Sequence, residues 1–290
     1  MEKIINNNIR NTSIVILINI LIVGVLVFGI SLIFEPLFNS IVIGIIFSIM
    51  INLLLIISSN YILLKLNGIT KISNTELNKI DKMVTEIAKK LDINKPNICL
   101  LPDNNINSIS IGRGVNKSFL CISKGALDLL TNNELEYICT FEMLKILKRA
   151  TSFNTISTVT LGFIPILSDK FFRTVFKGIQ KKGKESESLM RLLVTTFFLI
   201  FAPIFNKIIF ALSQKNINSI TDNDVFYITN STNYAISTLN KSLENNKLNI
   251  MYSRACANMF FVNPLIGQKV SKKFCFTETI ESRIEKLKKL

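Results

Sequence analysis

Apolar and polar positions divide this chain into stretches of different period. Ser13 to Phe34 is a nearly unbroken apolar run, and Ile41 to Leu64 is a second that tolerates Asn52, Ser58 and Ser59. At about 1.5 Å of rise per residue each is long enough to cross a bilayer core as a helix. The link "EPLFNS" between them is short, so the pattern predicts a transmembrane hairpin of helices at about 13–34 and 41–64. A cleaved signal peptide fits poorly, because the first run is too long and lacks a small-residue cleavage site.

Beyond the hairpin the period changes. Leu77, Ile80, Val84, Ile87, Ala88 and Leu91 recur at helical spacing and predict an amphipathic helix over 73–91. "NICLLP" (97–102), "NSISIG" (107–112) and "SFLCIS" (118–123) have the length and alternation of short strands, with Gly112 and Gly114 marking a turn. Thr131 followed by Glu134 is a capping box that starts a helix near Asn132. Along that helix Leu135, Ile138, Cys139, Glu142 and Ile146 share one stripe, flanked by Phe141 and Lys145. A carboxylate among apolar positions must find a partner, since burying an unpaired charge costs several kcal/mol or forces protonation.

Two further apolar stretches, Ile156 to Leu167 and Leu192 to Leu212, predict a second hydrophobic hairpin at about 154–212. Lys170, Arg173, Lys177, Lys181, Lys182 and Lys184 lie between its limbs. The positive-inside rule favours limbs that dip into or lie on the membrane over limbs that cross it. The organisation expected is therefore a hairpin over 1–68 and a domain over 69–290, interrupted by the second hairpin. The class is α+β, mostly helical, with a small sheet.

Composition sharpens this picture. Of 290 residues 49% are hydrophobic, and mean hydropathy is +0.40, too apolar for an ordinary soluble domain. The net charge of +14 sits beside apolar segments and in the tail, which suits anionic lipid. No basic ladder interleaved with aromatics is present, so nucleic acid is not an expected partner. Lys3, Arg10, Lys65 and Lys71 flank the first hairpin and its link carries no cation, which puts both ends in the cytoplasm. The five cysteines, Cys99, Cys121, Cys139, Cys256 and Cys275, form no CxxC pair and suit a reducing compartment.

The order of parts resembles the HtpX family of membrane zinc metallopeptidases. In that family an N-terminal hairpin precedes a NAFATG-type strand, HELSHxxNRD, a second hairpin, SRxxEyxAD, NPLSG and an ERI segment. Here "NSISIGR" (107–113), "ISKGALDLLTNNELEYICTFEMLKILKRA" (122–150), "ALSQKNINSIT" (211–221), "FVNPLIGQKV" (261–270) and "TETIESRIEKL" (277–287) stand in those places. The resemblance implies a zincin-type domain, zinc as cofactor and endopeptidase activity on misfolded membrane proteins.

The ligands do not follow. The two helix ligands of the family fall on Phe141 and Lys145, and the third on Ile217. The family's second aspartate falls on Thr221, the helix aspartate on Ala150 and the tail histidine on Thr277. The chain contains no histidine at all. Only the base position, Glu142, keeps its residue type, and a base without a metal to acidify its water has little to act on. Glu142 is then a relic paired with Lys145, a protonated and hydrogen-bonded acid, or a surviving catalytic group. Cys139 and Glu142, with Asp222 or Asp224, make a poor zinc site without histidine, and a buried apolar cysteine is the simpler reading. The strand Asn107, Ser108, Ile109, Ser110 and Ile111 needs only a free edge to bind an extended polypeptide, or it is an ordinary sheet strand.

The expectation is a catalytically inactive pseudoprotease of the cytoplasmic membrane, with no metal cofactor. Its domain faces the cytoplasm and holds a membrane-protein client or an active protease relative. The alternatives are a membrane metalloendopeptidase with an atypical metal site and a structural subunit of a membrane complex. The sequence leaves the oligomeric state open.

Overall fold

Two long helices lead the chain in the computed structural model, which describes residues 1–31, 36–162, 222–229, 231–245, 247, 252, 255–264 and 279–289. Helix α1 spans Glu2–Ser31 and α2 spans Leu37–Leu66, and the two pack against each other. The buried face of α2 is mostly small and polar, with Ser40, Gly44, Ser48, Asn52 and Ser59 ahead of a single Leu63. Its outer face shows Ile45, Phe47, Leu53, Leu54 and Ile57. This inverted amphipathicity suits helices in lipid, where small residues let backbones approach and polar side chains pair across the contact. Asn19 Nδ2 donates to Asn52 Oδ1 at 2.7 Å, and a Cβ on Gly44 would come within 3.1 Å of the Gly24 carbonyl oxygen. Both helices are long and apolar enough to cross a membrane.

The start of α1 differs from the expected 13–34 helix. Hydropathy marks the part of a helix that suits lipid, and here the helix begins at Glu2, well before that part. The polar residues "INNNIRNT" continue it because Asn8 and Asn11 are buried, with Asn8 Nδ2 donating to the Lys148 carbonyl at 2.6 Å. Helix α2 likewise extends at both ends beyond the expected 41–64.

The sheet has four strands, β1 (Thr70–Lys71), β2 (Asn97–Leu101), β3 (Ser108–Gly112) and β4 (Ser118–Ser123), in the order β1-β2-β4-β3. Only β2 and β4 are parallel. Alternation sends Leu120 and Ile122 into a core with α3 (Asn74–Lys90), α4 (Lys124–Leu129) and α5 (Asn132–Leu147). It sends Ile109, Ile111 and Cys121 to the opposite face, against Leu63 of α2. The short helices α7 (Asp222–Thr229), α8 (Asn233–Asn245) and α9 (Ile280–Leu287) close the first core, through Val225, Leu239 and Ile284. The α+β class, mostly helical with a small sheet, is as expected.

The limb expected from about 154 begins inside the protein. Helix α6 (Ala150–Thr160) has all of its residues buried and packs against α1, α2 and β3. Its sequence "ATSFNTISTVT" is rich in Ser and Thr, which fit close helix contacts and satisfy their hydroxyls locally, as in the bond from Thr160 Oγ1 to the Ile156 carbonyl. The rest of the second hairpin, 163–212, lies outside the described residues.

The capping box forms as the sequence predicts, with the Thr131 N–H donating to Glu134 Oε2 at 2.7 Å. The same carboxylate receives Lys241 Nζ at 2.8 Å and Ser237 Oγ at 2.6 Å from α8. Burial alone would raise this acid. The lysine, the serine hydroxyl and the Thr131 N–H together hold it down to about 2. A depressed folded pKa contributes stability above the unfolded value, and that contribution is lost as pH falls through the folded one. Between about pH 4.5 and about pH 2, the melting temperature of Glu134→Gln is therefore expected to fall less steeply than that of the wild type. Parallel slopes in detergent melts over that range would refute this coupling.

Candidate functional site

Helix α5 carries Glu142 into the deepest part of the fold, where its side chain is fully buried. Ser108 of β3 donates Oγ to Glu142 Oε1 at 3.0 Å. Lys145, one turn along α5, sets its ammonium 2.8 Å from Oε2. That contact is a close ion pair without a well-directed hydrogen bond, because the ammonium aims elsewhere. It donates to the Met259 carbonyl at 2.7 Å. A buried carboxylate is thus met by a buried ammonium at i+3.

Phe141, the neighbour of Glu142 on α5, packs edge-to-face on Phe261 with ring centroids 5.2 Å apart. The Arg283 guanidinium of α9 lies over both rings, 5.0 Å from Phe141 and 4.5 Å from Phe261. Arg283 is held by a bidentate pair to Asp222, at 2.9 Å from Nε and 2.7 Å from Nη2. Tyr137 donates its hydroxyl to the same carboxylate. Burial alone would raise Asp222, but the guanidinium overrides it and keeps the acid below its ordinary range.

The structure brings Glu142, Phe141, Lys145 and the strand Asn107 to Ile111 together. Ile217, Thr221 and Thr277 lie outside the described residues, and Ala150 opens α6. Asp222 and Asp224 do not turn toward Cys139 and Glu142; they pair with Arg283 and Lys148. The Cys139 thiol is pushed up to about 12 by burial, with Glu142 and Glu136 adding to it. Among the described residues no group of three Cys, Asp, Glu or His side chains is placed to hold a metal.

The sequence left β3 either a polypeptide-binding edge or an ordinary sheet strand. β3 is the edge strand of the sheet order, yet every residue of it is buried. The segment after a 3₁₀ turn at Ala257–Met259 lies along it. Phe261 N–H donates to the Ser108 carbonyl at 2.9 Å, and Ile109 bridges Phe260 in antiparallel sense. Asn107 grips the next residue through both backbone groups of Val262, accepting from N–H at 3.0 Å and donating to the carbonyl at 2.8 Å. At the far end, Thr155 Oγ1 of α6 takes the Gly112 N–H at 3.0 Å. On this side of β3 the backbone groups of Ser108 and Gly112 thus find partners within the chain. Sequence reasoning missed Met259 to Val262, Tyr137 and Arg283. The one local signal was Asp222, a single residue beyond the position assigned to the second aspartate.

Curated relatives match most of this chain. A protein named "Protease HtpX homolog" from Dictyoglomus turgidum is 28% identical over 235 residues, 79% of this chain and 75% of the relative. Proteins of the same name from Pyrococcus abyssi and Methanocaldococcus jannaschii are 26% and 28% identical, over 76% and 73% of this chain and 75% of each relative. The chain is an HtpX-like family member. No family model matches it, and no solved structure does.

The zinc that HtpX resemblance implies does not fit this member. Phe141 has no donor atom, and Lys145 has a positive charge where a ligand would stand. A divalent cation about 4 Å from that ammonium would be repelled by roughly 8 kcal/mol at an effective dielectric of about 20. No chemical step is available through the metal.

Breaking the pair tests its role. Lys145→Met leaves Glu142 buried without a counter-ion and is expected to cost about 3–5 kcal/mol, measured by denaturant unfolding in detergent. Adding Glu142→Gln removes the stranded charge and is expected to recover more than half of that loss. Additive losses in the double variant would show that the two side chains do not compensate each other.

Proposed function

We propose that this HtpX-like protein is a catalytically inactive pseudoprotease of the cytoplasmic membrane. It crosses the bilayer more than once, its domain faces the cytoplasm, and it binds a client or partner protein without cleaving it. The observation that carries this reading is the Lys145 ammonium, 2.8 Å from Glu142 and bonded to the Met259 carbonyl. A general base serves hydrolysis by taking a proton from an activated water, and a fully buried carboxylate turned to an ammonium is poorly placed to take one. Binding asks less. Strand addition needs backbone groups and side-chain pockets, and β3 receives an extended segment from its own chain. The client remains a membrane protein or an active relative, as the bilayer location suggests.

The runner-up, a membrane metalloendopeptidase with an unusual site, draws on the word "Protease" in the names of the relatives. Bound zinc per chain decides between the two. Detergent-purified protein is expected to hold less than about one zinc in ten chains, with melting unchanged by chelator. It is also expected to cleave casein no faster than Glu142→Gln. Near-stoichiometric zinc, or proteolysis abolished by Glu142→Gln, would overturn the inactive reading.

A further inference from the structure

One row of side chains crosses the sheet from its open edge to its interior. Lys71 of β1 pairs with Cys99 of β2, Cys99 with Cys121 of β4, and Cys121 with Ile109 of β3. Residues paired across a ladder point to the same face, so these side chains stand next to one another. Access falls along the row. Lys71 is exposed, Cys99 is half-buried, and Cys121 and Ile109 are fully buried. Around the sulfurs the face is apolar, with Leu63, Leu101, Ile111 and Phe260 in the same cluster. We infer that Cys99 and Cys121 are a reversible oxidation site, at which a small hydroperoxide oxidises Cys99 and Cys121 closes a disulfide onto it. The inference stands apart from the proposed function, since it needs neither a client nor the loss of catalysis.

Backbone geometry permits the bond. Neighbouring strands lie about 4.8 Å apart, and disulfides join Cα atoms about 4.4–6.8 Å apart, so cysteines paired on adjacent strands are within reach of each other. The two thiols are unequal. The Cys121 thiol donates to the Cys99 sulfur and holds Cys99 below its ordinary value, against the opposing effect of burial. Burial pushes Cys121 well up, and its bond to Cys99 and the Glu142 charge add to that. Oxidation follows thiolate character and access, and Cys99 has more of both. Cys121 stands where a resolving thiol is needed. The Cys99 thiolate attacks one peroxide oxygen, the O–O bond breaks, and the other oxygen leaves as alcohol or water. Cys99 is then a sulfenic acid. The Cys121 sulfur attacks Cys99 Sγ, the S–O bond breaks, and the hydroxide leaves as water with the Cys121 proton. The peroxide is reduced by two electrons and the sulfur pair is oxidised by two. Small cytoplasmic thiols reopen the bond by exchange. Cys139 differs: it lies in the other core, where burial, with Glu142 and Glu136, pushes it up to about 12. Cys256 is buried in the same cluster as the pair and is the nearest rival for a partner.

The test uses full-length protein in detergent micelles, reduced, freed of reductant and exposed to hydrogen peroxide. Remaining thiols are blocked with N-ethylmaleimide, and the digest is read by mass spectrometry. A pair of peptides joined through Cys99 and Cys121 is expected, and dithiothreitol is expected to separate it. Cys99 is expected to be lost at least about tenfold faster than Cys139. Cys121→Ser removes the resolving thiol, so Cys99 is expected to be trapped by dimedone as the sulfenic acid adduct. In Cys99→Ser, Cys121 is expected to stay reduced. An unmodified Cys99, under peroxide that oxidises free cysteine in a parallel tube, would overturn the inference. So would a disulfide from Cys99 to Cys256 or to a second chain. The wild-type digest decides the matter even where a variant does not fold.

Discussion

A buried carboxylate sets the terms for the rest of this domain. Glu142 is wholly removed from water, and an ionised group there is tolerated only with a counter-charge and directed hydrogen bonds. Lys145 supplies the first and Ser108 the second. Because the ammonium has donors to spare, it also captures the Met259 carbonyl. One charge pair thus ties together the central helix, the edge strand and a segment more than a hundred residues further on. The polar groups hold this arrangement less by net stabilisation than by the cost of any alternative that strands one of them.

The Arg283 clasp works by the same logic at the neighbouring turn of α5. Its bidentate pair to Asp222 and its bond to the Phe261 carbonyl bring α7, α9 and the segment around Phe261 over Phe141. Lys145 and Arg283 are two cationic side chains, each bonded to an anion and to a carbonyl from a distant part of the chain. Side-chain cations can organise a fold in this way, but they offer no open coordination position and acidify no water.

Below the site, α6 joins the domain to the two leading helices. Its hydroxyl-rich surface lets it approach β3, α1 and α2 closely, with Ser110 Oγ and Thr151 Oγ1 2.8 Å apart. The helices that suit lipid and the helix that follows the degenerate site thereby share one interior, with Val15 of α1 packed on Phe153 of α6. The positions at this junction are small or polar, the opposite of what hydropathy looks for.

Much of the architecture was legible in the chain. Long apolar runs announce α2 and most of α1, the Thr131–Glu134 box starts α5 where it is observed, and alternation finds β3 and β4. The absence of histidine, and Lys145 three residues after Glu142, are facts of sequence. These features rest on period and on chemistry between near neighbours, which a single chain displays. Tertiary structure alone decided the rest. The extension of α1 to Glu2 depends on what its asparagines meet, and the burial of α6 on which helices surround it. The pairing of Ser108 with Phe261 depends on backbone groups that every residue carries, so it leaves no mark in composition or spacing. A match of main chain to main chain across some 150 residues exists only once the fold has brought the two segments together.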